Sequence, residues 1–450
     1  MNNIKKFLVS ISILTLFSSC SFDNKTGIWD GSKKEKKRIA DIEWNQKNIE
    51  NVVKVYSSSN VFEKEVVSKK NIILSKPKKI SFWPMANYNH QNYLGNIYIS
   101  GIDNIFLKKK IGKDKFAISK LKTSPLIFKN NIIISDDKGT IFNINKKGKI
   151  NWKKNIYKKL YKKIYKNITF AIHENILYAS DNVGFVYAIY LDSGELVWVK
   201  NHGIPLKSRI KIFNNKIFLI NQDNRIICLD TIKGNLIWDV RMIESFIKSQ
   251  SMMALAISEE GELLSLNTAG NLVKLQSDSG KLVWSTNVAS FILTNNTDFF
   301  ESSDIVIDKN SIYFSTTESV YSYDLKNGYL NWEKSLNSTN IPIVDGNNIF
   351  FLTDNGYLVN LNKKTGEIIW STYILKILKK KKRSTQMSGL ILGSDKIYAV
   401  SENGYLIVCS AVSGKIEFSK KIGDNVTSAP ISSDGSLYVL TENSKILGFN

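Results

Sequence analysis

Asn175-Ile-Leu-Tyr-Ala-Ser-Asp-Asn-Val-Gly-Phe-Val-Tyr-Ala-Ile-Tyr-Leu-Asp-Ser-Gly-Glu-Leu-Val-Trp198 is the stretch whose reading decides the fold. It runs as an apolar strand, a turn of Asp, Asn and Gly, a β-branched strand, and Asp-Ser-Gly ahead of a strand that carries tryptophan. The glycine supplies the positive φ that a tight, bulged connection requires. The same ending recurs as Gly148-Lys-Ile-Asn-Trp152, Gly234-Asn-Leu-Ile-Trp238, Gly280-Lys-Leu-Val-Trp284, Gly328-Tyr-Leu-Asn-Trp332 and Gly366-Glu-Ile-Ile-Trp370, with a seventh copy, Gly414-Lys-Ile-Glu-Phe418, ending in phenylalanine. Successive aromatics stand 38 to 48 residues apart, about 44 on average, the period of four-stranded propeller blades. The tryptophans are expected to be packing residues on the outer strands. Each repeat cannot bury a core alone and gains one from its neighbour.

The chain continues past Phe418. Residues Ser428 to Asn450 hold three more strand-like pieces and then stop without a Gly-x-x-x-Trp. An eighth blade is therefore one strand short, and Asn104-Ile-Phe-Leu-Lys-Lys-Lys-Ile111 is the candidate to complete it, with Phe106 lying 46 residues before Trp152. Joining both termini in one blade removes the edges that a linear array would expose. The predicted fold is all-β: an eight-bladed β-propeller of four-stranded blades, closed by N- and C-terminal strands in the last blade, with seven blades as the fallback.

Met1 to Cys20 reads as a basic start at Lys5 and Lys6, an apolar run Phe7 to Phe17, and Ser18-Ser19-Cys20. That pattern is a secretory signal too short to span a bilayer. Small residues before a lone cysteine resemble a bacterial lipobox, so residues 1–19 are expected to be a lipoprotein signal peptide and Cys20 the lipidated residue. Phe17 stands where the pattern prefers leucine, and an ordinary signal is the alternative. Ser21 after the cysteine resembles lipoproteins sent to the outer membrane. Residues 20–79 read as a polar tether, with a short helix around 39–55, and 80–450 as the propeller. Trp83, just ahead of the ring, is expected to pack on a blade as a lead-in strap.

The chain has 62 Lys and Arg against 40 Asp and Glu, a formal charge of +22. Two basic runs stand out, Lys153 to Lys166 and Lys376 to Arg383. Both follow a repeat tryptophan and precede an inner strand, so both belong to one face of the ring. Lysines interleaved with Tyr157, Tyr161 and Tyr165 suit single-stranded nucleic acid in principle, but export argues against it; solvated loops, or contact with anionic headgroups or an acidic partner, are the other readings. Cys228 and Cys409 fall on equivalent strands of different blades, so they read as small buried apolar residues without a disulfide. Reactive constellations are scarce. The three histidines, His90, His173 and His202, have no metal-ligand spacing, and haem, phosphate-loop and nucleophile-elbow motifs do not occur. Asp192, Asp230, Asp278 and Asp324, which recur before the blade glycine, read as turn formers.

The Asp-x-x-Gly-x-x-x-Trp repeat resembles the pyrroloquinoline-quinone-like propeller repeat, found both in quinoprotein dehydrogenases and in binding proteins without a cofactor. With the lipobox and the closing strand, residues 80–450 resemble the BamB family of lipoproteins of the outer-membrane β-barrel assembly (BAM) machinery. The chain departs from the dehydrogenases in lacking their adjacent cysteine pair, in its short length and in its expected anchor. The resemblance implies a non-catalytic scaffold without cofactor or metal, anchored by lipid in the inner leaflet of the outer membrane and facing the periplasm. It would dock on the periplasmic POTRA domains of BamA, with other BAM lipoproteins as further partners. The loops implied are Arg241 to Gln250 and Ser285 to Asp304, with Phe246, Ile247 and Lys248 as apolar anchor and cation and Glu301 as the complementary anion. Lys248 stands where the family carries arginine and lacks its planar bidentate contact. Phe299 replaces one of the family's two aspartates. The alternatives are a propeller that binds a periplasmic ligand such as peptidoglycan and a quinoprotein dehydrogenase oxidising alcohols or sugars. Fold by itself does not choose among them.

Overall fold

The computed structural model describes residues 37, 62–68, 72–112, 124–243, 251–288 and 300–450. Within them, 32 strands form eight antiparallel four-stranded sheets. In chain order the blades are 126–154, 168–201, 211–241, 254–287, 306–334, 343–373, 387–421, and an eighth made of 431–449 with Ile105–Lys110. The eighth is the predicted composite, since Ile105–Lys110 pairs antiparallel with Lys445–Phe449 as its outermost strand. One buried cluster runs from Ile132, Ile144 and Tyr187 in the first two blades to Tyr398, Leu437 and Phe449 in the last two, so the ring is shut across its seam.

The repeat's tryptophan ties blade to blade. A Cβ added at Gly194 would lie 2.7 Å from the Trp152 ring of the preceding blade, and the same relation joins Gly234 to Trp198, Gly280 to Trp238, Gly328 to Trp284, Gly366 to Trp332 and Gly414 to Trp370. These glycines also hold φ between +67° and +75°, where any side chain is strained. The motif therefore needs glycine twice over, for backbone shape and for room to seat the neighbouring indole. Five of the indoles also donate Nε1–H to a carbonyl of the next blade: Trp152 to Leu191 at 2.8 Å, Trp198 to Thr231 at 3.0 Å, Trp238 to Ser277 at 3.0 Å, Trp284 to Leu325 at 3.1 Å and Trp332 to Lys363 at 3.0 Å.

At the seam the structure corrects the sequence reading by one residue. In blade 1 the pairing passes from Ile150 opposite Ile144 to Trp152 opposite Asn143, with Asn151 bulged between them. The closing strand passes likewise from Ile105 opposite Phe449 to Leu107 opposite Gly448, so Phe106 is the bulged residue. Leu107, 3% exposed, holds the tryptophan's place and packs over Gly148 of blade 1, while Phe106 is 40% exposed. Counting residues found the strand, but the bulge decides which side chain turns inward.

Ahead of the closing strand, the chain makes a circuit inside the ring that the sequence did not announce. Trp83 pairs with Ile127 of blade 1, as the strap reading expected, and Pro84 O accepts from Ile172 N of blade 2 at 2.6 Å. His90 O then accepts from Ile257 N of blade 4 at 2.8 Å, and Gln91 O from Ile307 N of blade 5 at 3.0 Å. Asn96 N donates to Asp345 of blade 6 at 3.2 Å, Ile97 bridges blade 7, and Ile80 O accepts from Asp434 N of blade 8 at 2.8 Å. The inner strands thus satisfy their innermost backbone groups with a plug rather than with water. The chain reaches this plug along blade 6, where Val66 pairs with Ser371 and Ile72 and Leu74 pack on its core. Contacts with the ring therefore begin ahead of residue 80.

Blade 3 holds the plug with a side chain. Lys211 is fully buried, and its Nζ donates to Ala86 O at 3.0 Å, Asn89 O at 2.9 Å and Asn92 Oδ1. Burial penalises its ammonium, and although Asp304 pulls the other way, Lys211 is drawn down to about 7. Between about 7 and 10.5 the unfolded chain holds a proton there that the folded chain has released. Stability from this site therefore rises with pH across that window and is level below it. Urea unfolding at pH 7 and pH 9.5 is expected to show wild type gaining on Lys211→Met by about 3 kcal/mol. A gap of constant size between the two proteins would show that Lys211 titrates normally.

Candidate partner-binding face

Each connection from an outer strand to the next inner strand lies beside the middle hairpin of the blade it leaves. Lys166 N donates to Asp137 O, Met242 N to Asn224 O, Val288 N to Gly270 O and Ile374 N to Gly356 O. These connections share one face, as the alternating strand directions require. The inner strands open on that face into a funnel of about 300 Å³. Ala86 and Asn87 of the plug are its floor, and hydroxyl and amide groups, among them Thr169, Ser303, Asn340 and Ser428, share its wall with apolar side chains such as Ile168 and Met387. Arg209 forms an ion pair with the buried Asp304, which also accepts from Asn87 Nδ2 at 2.5 Å. The wall is thereby fastened to the floor.

Glu301 is exposed on the funnel's rim, and its carboxylate accepts a hydrogen bond from Ser251 Oγ. Ser251 belongs to the connection from blade 3 to blade 4, and Glu301 to the connection from blade 4 to blade 5. Ser251, the residue after the first loop that the family resemblance implicated, is thus joined on the open face to Glu301 of the second. Phe246, Ile247 and Lys248, which precede Ser251, lie outside the described residues, as do Phe299 and Cys20. The Arg209–Asp304 pair and most of the plug under it were missed from sequence, because they join residues far apart along the chain, 95 positions for the ion pair, and carry no local pattern.

The remaining singled-out residues serve structure. Tyr157 is buried with its hydroxyl on Asp181, which burial pushes above the usual carboxylate range, and the Tyr161 ring stands edge-on to Phe185 at 5.5 Å. Those rings turn into the blade, not outward where a base would stack. Cys228 and Cys409 are buried free thiols, each pushed by burial up to about 12. His173 contacts Asn215 at 3.0 Å, whereas His90 and His202 lie elsewhere and are lowered by burial. A planar polyacid quinone with its calcium would need a stacking ring, free cations and a cluster of metal-binding acids. Among the described residues the funnel's one aromatic ring, Phe170, is buried in its blade, and its Arg209 is taken up by Asp304. Among the described residues no group of three His, Cys, Asp or Glu could hold a metal. The described residues do not fit such a cofactor.

Residues 137–372 match the family model described as outer membrane protein assembly factor BamB. A curated relative of that name from Legionella pneumophila (strain Paris) is 27% identical over 177 residues, 39% of this chain and 44% of the relative, so the match spans less than half of that protein. The Escherichia coli (strain K12) relative is 19% identical over 328 residues, 61% of this chain and 81% of its own. Among solved structures, BamB from Moraxella catarrhalis superposes with a TM-score of 0.62 at 13% identity, covering 76% of this chain and 100% of that one. The quinohemoprotein alcohol dehydrogenase from Comamonas testosteroni reaches a TM-score of 0.61 at 10% identity over 82% of this chain and 80% of its own. At such identities the superpositions speak to fold alone.

Proposed function

The chain belongs to the family of outer membrane protein assembly factor BamB, and from that premise we propose that it is a non-catalytic scaffold of outer-membrane protein assembly. In this reading a lipid on Cys20 holds it to the outer membrane on the periplasmic side, within the BAM complex. The open face docks on the POTRA domains of BamA through the connections that carry Phe246, Ile247 and Lys248 and Glu301. The hydrogen bond between Ser251 and Glu301 supports this reading, because it holds the residue that follows the first connection against the acidic residue of the second. Interface energy concentrates in such small clusters of an apolar anchor with charges at its rim. The poor fit of the funnel to a quinone supports a scaffold over a dehydrogenase.

The test is calorimetric titration of the whole mature chain, with Cys20→Ser so that no lipid attaches, against the POTRA domains of the same organism's BamA. One-to-one binding is expected, weakened roughly 30-fold or more by Ile247→Asp and by Glu301→Lys. Unchanged affinity in both variants, with unchanged unfolding, would show that the patch lies elsewhere. The blind polar funnel favours a second reading, a propeller that holds a small hydroxyl-rich ligand without turnover. Soluble peptidoglycan fragments would then raise the melting temperature of the wild type and not of Arg209→Ala.

A further inference from the structure

The connection from blade 1 to blade 2 projects from the open face and has a composition unlike its neighbours. Residues 155–167, which join the two blades, contain five lysines and neither Asp nor Glu. Lys158, Lys159, Lys162 and Lys163 are all exposed, and between and beside them stand Leu160 at 74% and Ile164 at 47% exposure. A solvated basic loop has no need of an aliphatic tip, and the tip meets none of the buried clusters of the ring.

The base of this finger is rigid. Lys166 is fully buried, its Nζ donating to Tyr161 O and to Ile164 O at 2.6 Å while lying 4.6 Å from the Tyr157 ring centre. Tyr157 is tied to Asp181, and residues Tyr161–Lys163 form a 3₁₀ turn whose tyrosine packs on Phe185. The exposed lysines and Leu160 are therefore presented on a preorganised support, which lowers the ordering cost of binding.

A second basic loop, the connection from blade 6 to blade 7, stands on the same face. Lys379, Lys380, Lys381 and Lys382 are exposed there, with Ile377 half out of the surface. Arg383 folds back to cap Leu378 O at 3.0 Å and Lys376 O at 2.8 Å, so the loop is also internally braced. The basic loops flank the proposed partner loops from two connections away on either side.

We propose that the Lys158–Ile164 finger, with Lys379–Lys382 as a second contact, docks on the anionic phospholipid headgroups of a bilayer. The chemistry favours lipid over a protein groove. The outward cations are lysines, compact charges without the planar fork that specific carboxylate recognition uses. A diffuse field of headgroups asks only for charge, and lysine stems can lie along the interface while Leu160 and Ile164 enter the acyl boundary. The finger is convex and aliphatic-tipped, a shape suited to a soft surface. A lipid on Cys20 would hold it at high effective concentration beside the membrane. This inference does not depend on the POTRA docking.

Vesicle flotation of the mature chain with Cys20→Ser tests it, using phosphatidylcholine alone and phosphatidylcholine with phosphatidylglycerol. Binding is expected only to the anionic vesicles and is expected to fall with added salt. The combined Lys158→Gln, Lys159→Gln, Lys162→Gln and Lys163→Gln variant is expected to lose binding at least a hundred-fold, from roughly five-fold per lysine. Leu160→Ser, which leaves the charge unchanged, is expected to lose several-fold. Lys146→Gln with Lys147→Gln, in a turn of the opposite face, is the control and should bind as wild type. Equal partition to neutral and anionic vesicles would overturn the proposal, as would full binding by the quadruple or the Leu160 variant. A quadruple variant that floats normally but no longer binds the POTRA domains would make the finger a protein contact instead.

Discussion

Leu107→Asp is expected to open the ring at its seam, lowering stability to urea by about 3–5 kcal/mol. The closing strand Ile105–Lys110 has one buried side chain, and it is Leu107, seated over Gly148 of the next blade. A carboxylate there is removed from water in an apolar seat. The strand's other side chains face solvent, so little else holds it once that contact is lost. Detachment bares the edge of Lys445–Phe449, which invites pairing with a second chain. Self-association on size exclusion, together with fast hydrogen exchange in residues 445–449, is the expected signature. Phe106→Asp is the control: Phe106 is bulged and half exposed, with an edge-on contact to Tyr438 at 5.7 Å, and its loss should cost about 1 kcal/mol. Equal effects from the two substitutions would mean that the bulge does not set the register.

The second large effect is at Trp370. It is fully buried against Gly414, and residues 62–68 cover its strand through the pairing of Val66 with Ser371. Truncation to alanine leaves a cavity between blades 6 and 7 and should cost about 3–5 kcal/mol. Unlike the other five repeat tryptophans, its indole N–H finds no acceptor among the described residues. Trp370→Phe removes that unpaired donor, worth about 1–3 kcal/mol, while leaving a smaller void, so its stability should stay within about 1 kcal/mol of wild type. Trp198→Phe, by contrast, gives up the bond to Thr231 O. Denaturant midpoints for the three variants check this. A Trp370→Phe protein as unstable as Trp370→Ala would mean that the indole N–H is satisfied in solution.

The ring was legible because its determinants are short-range and repeated. Gly194 and Trp198 stand four residues apart, close enough for a turn and the strand after it to be read together, and the copies state the period several times over. The candidate partner face could be suggested only through resemblance. Glu301 and Ser251 lie in different blades, and nothing near either residue marks it for the other. Arg209 and Asp304 are further examples: each reads as an ordinary polar residue until the funnel brings them together.

By itself the sequence determined the blade, the number of blades and the strand that shuts the ring, since strand alternation, turn residues and a repeated glycine act within a few positions along the chain. Only the tertiary structure decided that Leu107 and not Phe106 turns inward, that residues 78–100 plug one end of the channel, and that Lys211 fastens them there. Those outcomes depend on which backbone groups each inner strand leaves unpaired at its end. That demand arises only once eight blades stand in a circle, and it is met by whatever stretch of chain can bring a matching donor or acceptor to each in turn.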